Sequence, residues 1–190
     1  MSGKTRGYRA APRLVPKAGR VVSVERVLEP GGGVPGIVTH VGTEWALVAV
    51  VSDLAFDGWE CVRVRDVVGV TRGSHERFAE KVLPVRRPPR PAPRLESTAA
   101  LLESLSAIPI LSIECEADGD YRLGRVLELD EHSARFHCVD PGGRWDRSAI
   151  RVALRDVTRV ALGDHYGAMY AKHAPYRAPE GSPQRLGRIS

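Results

Sequence analysis

The chain repeats itself, and the repeat limits what it can fold into. Arg65-Asp66-Val67 recurs as Arg155-Asp156-Val157, and Val70, Gly73 and His75 recur as Val160, Gly163 and His165, all 90 residues later. Upstream the offset is 88: Gly36, Val38 and Val41 align with Gly124, Val126 and Leu129. Ala46, Val48 and Val50 align with Ala134, Phe136 and Cys138 at the same offset. The two-residue slip falls near Asp57-Gly58 and Gly142-Gly143, where a turn absorbs an insertion. Matches that keep their order across one indel point to duplication of a small unit.

Within each unit the periodicity is that of strands. Val21 to Leu28, Gly36 to Val41, Ala46 to Val51, Trp59 to Val64 and Val67 to Thr71 are separated by Gly- or Asp-bearing turns. Ala46 to Val51 is almost wholly apolar, as in a strand buried on both faces. A helix is expected from His75 to Leu83, with Phe78, Val82 and Ala79 on one face, until Pro84 stops it. The second unit repeats the order with Ile110 to Ala117, Tyr121 to Leu129, Ser133 to Val139, Ala149 to Leu154 and Val157 to Leu162, then a helix from His165 to His173. It also has a leading helix, capped by Ser97 or Thr98, with Leu101, Leu102, Leu105 and Ile108 on one face.

Five short strands joined by tight turns are the grammar of a small antiparallel barrel, since closure removes exposed edges. The pattern, with its Asp-Val-x-x-Val-x-x-Gly segments at 66–73 and 156–163, resembles the Sm-like and SH3-like small barrels. The resemblance implies a mainly β fold with short helices: two tandem five-stranded antiparallel small barrels. It also implies assembly through strand edges, so a homo-oligomer is among the expected partners, unless the covalent tandem satisfies those edges internally. Boundaries follow from composition: a basic arm at 1–19, the first barrel at 20–85, a Pro/Arg linker at 86–94, a helix plus the second barrel at 95–174, and a flexible tail at 175–190. A proline-rich linker is extended and semi-rigid, which favours two distinct barrels over one fused fold.

The formal net charge of +5 is unevenly placed. Residues 20–85 and 95–174 carry −2 and −4, whereas residues 1–19 alone carry +5. A barrel that used its own surface to hold phosphates would be basic. Nucleic-acid binding is therefore expected only through the arm and linker: Lys4, Arg6, Arg9, Arg13, Lys17, Arg86, Arg87, Arg90 and Arg94. No apolar run reaches the roughly 18 residues of a membrane span. Three scattered cysteines, Cys61, Cys115 and Cys138, suit a reducing compartment, and we read a cytoplasmic protein.

Chemistry-bearing motifs are sparse. There is no GxSxG, P-loop or strand-linked GxGxxG, so no enzyme and no cofactor is expected. Glu114, Glu116, Asp118 and Asp120 offer oxygen ligands, but their spacing is not that of a calcium loop, and a solvated strand face is the simpler reading. His132, His137 and Cys138 lack zinc-ligand spacing, so no metal is expected. His75 and His165 are either proton-transfer groups or helix N-terminal residues packed over a barrel end. Asp66 and Asp156 are expected to accept backbone hydrogen bonds at the turn into the last strand. What remains is a non-enzymatic binding protein, with an unknown protein as its main partner. Its candidate contacts are Trp59, Trp145, Tyr121, Tyr166, His75 and His165, aromatic anchors being typical of interfaces. Trp45, inside an apolar run, is expected in the core.

Overall fold

Alternation of β-branched and polar residues produces β1 (Val22–Arg26), where Val22, Val24 and Arg26 turn inward. The computed structural model describes residues 20–28, 33–83, 89–116 and 121–180. The first unit continues with β2 (Gly33–Val41), β3 (Trp45–Ser52), β4 (Ala55–Arg63), β5 (Val67–Thr71) and α1 (Ser74–Val82). The second comprises α2 (Thr98–Leu105), β6 (Leu111–Cys115), β7 (Tyr121–Leu129), β8 (Ser133–Cys138), β9 (Ile150–Ala153), β10 (Val157–Leu162) and α3 (His165–His173). As its composition requires, β3 is buried on both faces, and Trp45 is fully enclosed. Ser97 caps α2 through Ala100 N–H, and Leu101, Leu102 and Leu105 are buried. On α1 the apolar face differs from expectation: Ala79 is buried, but Phe78 and Val82 face solvent.

All ten strands belong to one antiparallel sheet, ordered β5-β1-β2-β3-β4-β10-β6-β7-β8-β9 and open at both ends. This corrects the expectation of two separate closed barrels. The halves are fused where β4 pairs with β10, Val62 opposite Arg159 and Trp59 opposite Leu162. The physical reason is that each unit ends in an edge of unpaired N–H and C=O groups, and these two edges satisfy each other.

The repeat is written into the ladders. Val22 pairs with Gly36 as Leu111 pairs with Gly124. Val38 pairs with Val48 as Val126 pairs with Phe136, and each ladder is bulged at the same place. Ala46 pairs with Val62 as Ala134 pairs with Val152. The offset is therefore 89 for the first strand, 88 for the next two and 90 for the last two. Gly36 and Gly124 mark the closest backbone approach in each half. A Cβ there would collide with the Ala49 or His137 carbonyl oxygen, so neither position accepts a side chain. One buried cluster draws on all five strands of the first half, including Val24, Val38, Val48, Val62 and Val67. The corresponding Ile113, Val126, Phe136, Val152 and Val157 lie in a larger cluster that also receives α2 and the other face of β3.

Charge is buried at the junction. The Arg63 guanidinium, 2% exposed, donates from Nε to Asp66 Oδ2 at 2.6 Å, from Nη2 to Glu116 Oε2 at 2.9 Å and from Nη1 to the Arg155 carbonyl at 2.7 Å. Burial opposes the Arg63 charge, but the two carboxylates outweigh it and hold its pKa above the ordinary value. Arg26 reaches from β1 across to Glu114 Oε2 and Thr158 Oγ1, both at 3.1 Å. Arg159 joins Glu114 to Glu60. Two expectations are corrected here. Asp66 holds a buried arginine rather than turn amides, and Glu114 is a largely buried arginine partner rather than part of a solvated face, whereas Glu116 is exposed as well as paired with Arg63. Asp118 and Asp120 lie outside the described residues.

Two outcomes test this account. Arg63→Ala leaves Asp66 buried without its cation and is expected to cost about 3 kcal/mol in urea unfolding. Arg65→Ala, at an exposed position, is expected to stay within about 0.5 kcal/mol. In the β7–β8 turn, Asp130 accepts from the His132 and Ser133 amides and the Ser133 hydroxyl, and its pKa falls from 3.8 to about 2. A carboxyl depressed by folding stabilises above its unfolded pKa and loses that contribution as pH falls through the folded one. Asp130→Asn is therefore expected to flatten the fall in Tm between 3.8 and about 2, measured by melts across that range.

Candidate interaction site

The β8–β9 connection and α3 together build an aromatic cleft on the second half. Asp140 folds the connection back: its carboxylate accepts from the Arg144 backbone N–H and Nε, both at 2.9 Å. Gly143 takes φ +76° there, a conformation that suits glycine. The return brings Trp145 into a bridge with Val139. On the opposite wall, α3 packs its buried Gly167 near Ile110 and under Asp164, and Met169 and Tyr170 line the cleft. The Tyr170 hydroxyl donates to the Pro141 carbonyl at 2.9 Å and shares a 3.0 Å hydrogen bond with the Tyr166 hydroxyl. That bond raises the Tyr170 pKa, so the phenol is neutral near pH 7. The resulting cleft of about 310 Å³ is lined by Pro141, Gly142, Gly143, Met169, Tyr170 and His173, with Ala174 at its base.

Behind it stands a stack of rings. Trp145 donates from Nε1 to the Ala174 carbonyl at 3.2 Å and meets Tyr176 edge-on, ring centres 4.9 Å apart. Arg125 lies over the Tyr176 ring at 4.5 Å, a cation–π contact. His137 is fully buried 5.1 Å from Trp145, with Nε2 at 2.7 Å from the Asp146 carbonyl. A carbonyl only accepts, so Nε2 is the donor in this contact, and Nδ1 has no hydrogen-bond partner.

The candidate residues are divided by the structure. Trp145 and Tyr166 belong to this region, as does His165, which begins α3 and donates its backbone N–H to Asp57. Trp59 is 5% exposed and part of the core, which corrects its reading as an anchor: β10 covers it. Tyr121 is exposed at the start of β7, opposite Glu114, and His75 is exposed on α1 in the other half. Neither histidine ring is packed into a barrel end. Tyr170 stands beside Tyr166 as the sequence suggests, and the residues not anticipated at this site are Met169, Tyr176 and His137. Tyr166 and Tyr170, spaced i,i+4 on one helix, were the available signal.

Lys4, Arg6, Arg9, Arg13, Lys17, Arg86 and Arg87 lie outside the described residues. Arg90 is exposed, and Arg94 is paired with Glu103. A second, wider groove of about 820 Å³ joins the halves, but Glu44 and Glu131 face Arg151 and Arg155 within it, a mixed field. Burial raises the Cys61 thiol to about 12 and Cys138 to about 11, so neither is a thiolate near neutrality. Among the described residues no three His, Cys, Asp or Glu side chains form a metal-binding group, and no helix is long and apolar enough to cross a membrane. The chain matches no family model, no curated protein and no solved structure.

Trp145 is expected to hold the segment after α3. Trp145→Ala removes the bond to Ala174 and the wall behind Tyr176, so amide exchange over residues 174–180 should accelerate at least tenfold while β1–β4 are unaffected.

Proposed function

We propose that this chain is a non-enzymatic protein-interaction module of two barrel-like halves, and that it binds a short apolar segment of a protein in the cleft beside α3. The observation that carries this reading is that the Tyr166, Met169 and Tyr170 surface belongs to one half only, the first half exposing Phe78 elsewhere on α1. At the repeat positions of Tyr166, Met169 and Tyr170 the first half has Glu76, Ala79 and Glu80. Glu80 there serves α1 packing, through Arg72 and the Val21 amide. A feature absent from the shared scaffold is where a specific role is expected after duplication. The cleft suits peptide side chains: its walls are aromatic and thioether groups, which give contact area at little entropic cost. Pro141 and the two glycines leave one side low. Its size accommodates one or two side chains, so affinity in the micromolar range is expected.

The test is selection of peptides from a random display library on the full chain, followed by fluorescence anisotropy with the enriched sequences. Tyr170→Ala and Met169→Lys are each expected to weaken binding about tenfold or more. His75→Ala, in the other half, is expected to leave it unchanged. Equal affinity of all variants would remove the cleft from consideration. Retention of generic RNA by the full chain at low salt, lost on removing residues 1–19 and with no peptide enriched, would favour the basic arm and nucleic acid instead.

A further inference from the structure

The junction inside the molecule also describes what its two ends lack. Among the described residues, β10 is covered by β4, but its counterpart β5 has no strand beyond it, and β9, the counterpart of β4, has none either. Thr158 and Val160 on β10 are 0% exposed, whereas their counterparts Val68 and Val70 on β5 are 56% and 39% exposed. Val27, at the place of Glu116, is 55% exposed. We propose that β9 of one molecule pairs with β5 of the next, in the register of β4 on β10, so that copies of this chain assemble head to tail.

The repeat fixes that register. Val62, Cys61, Glu60 and Trp59 lie opposite Arg159, Val160, Ala161 and Leu162 at the junction. Translated through the offset of 90, Val152 falls opposite Gly69, Arg151 opposite Val70, and Ile150 opposite Thr71 of the neighbouring copy. The charges translate consistently as well. The Arg63–Glu116 pair becomes Ala153 against Val27, and the Glu60–Arg159 pair becomes Ile150 against Gly69. Both members of these two pairs are lost together, whereas the Glu114–Arg159 pair becomes Glu25 beside Gly69, a half-buried carboxylate at the rim of the new contact. Arg151 takes the place of Cys61, laying its aliphatic stem over Val70 while its end remains in water. Because the two surfaces differ, the contact is heterologous and repeats until a ring closes or a filament grows.

The experiment uses the full chain with Cys138→Ser, the other two cysteines being buried. Light scattering across concentration is expected to show species larger than a monomer. Thr71→Cys mixed with Ile150→Cys is expected to give covalent dimers with a short bismaleimide, and neither protein alone should do so. Val70→Lys opposes Arg151 and is expected to weaken assembly at least tenfold, whereas Val70→Glu faces Arg151 favourably and should retain it. Val70 is half-exposed, so both variants should fold, as checked by circular dichroism. A monomer at every concentration overturns the proposal. Cross-linking of Thr71→Cys with itself would mean β5 against β5 and overturns the polarity. Equal effects of Val70→Lys and Val70→Glu overturn the register.

Discussion

Everything in this molecule depends on the pairing of β4 with β10. Without it there are two five-stranded units, each near the size at which a core alone is barely sufficient. With it, Cys61 and Trp59 close over the second half while Val62 faces the first, so one strand serves two cores. The pairing also forces charge inside. Arg63 is enclosed, and a buried guanidinium is tolerated only where its donors are met. Asp66, Glu116 and the Arg155 carbonyl meet them from three separate segments, and only one register brings the three together. The arginine therefore specifies the junction more than it strengthens it. Replacement of the whole cluster by apolar residues would be compatible with stability, but removal of one member would not.

The two halves have diverged where their surroundings differ. Most positions facing the core of each half remain apolar in both, as with Val48 and Phe136, but buried Arg26 and Val34 of the first half stand where the second has Cys115 and Arg122. The outer face of β3 carries Trp45, Leu47 and Ala49 against α2 and the second half. The equivalent positions on β8 are Ser133, Arg135 and His137, a polar series on a strand with no sheet over it. His137 is buried there only because Trp145 and Tyr176 cover it.

Much of this was legible in the sequence. The duplication, all ten strands and three helices, the slip between the third and fourth strands, the Ser97 cap and the core position of Trp45 follow from periodicity and turn chemistry. Fusion of the halves was not legible, because hydrogen bonding between edges leaves no mark on side-chain alternation. The prolines of the linker argued for separation, yet a linker limits reach and not the pairing of strands it does not contain. Glu114 was misread for a related reason. A carboxylate on a strand looks solvated until Arg26 and Arg159, distant in sequence, are brought to it. Trp59 was misread because a strand at a unit's edge is exposed in isolation and buried once the units join.

That failure has a physical counterpart in the site. Interactions within one element were readable: Tyr166 and Tyr170 are one helical turn apart, and Asp140 and Arg144 close a turn. The His137–Trp145–Tyr176 stack joins a strand, a connection and a segment beyond the last helix, so it required the fold first. Within that stack His137 Nδ1 has no hydrogen-bond partner, while Nε2 lies 2.7 Å from the Asp146 carbonyl. The rings that cover His137 therefore also hold this contact, which ties β8 to the returning connection: the aromatic stack and the connection's path are set together.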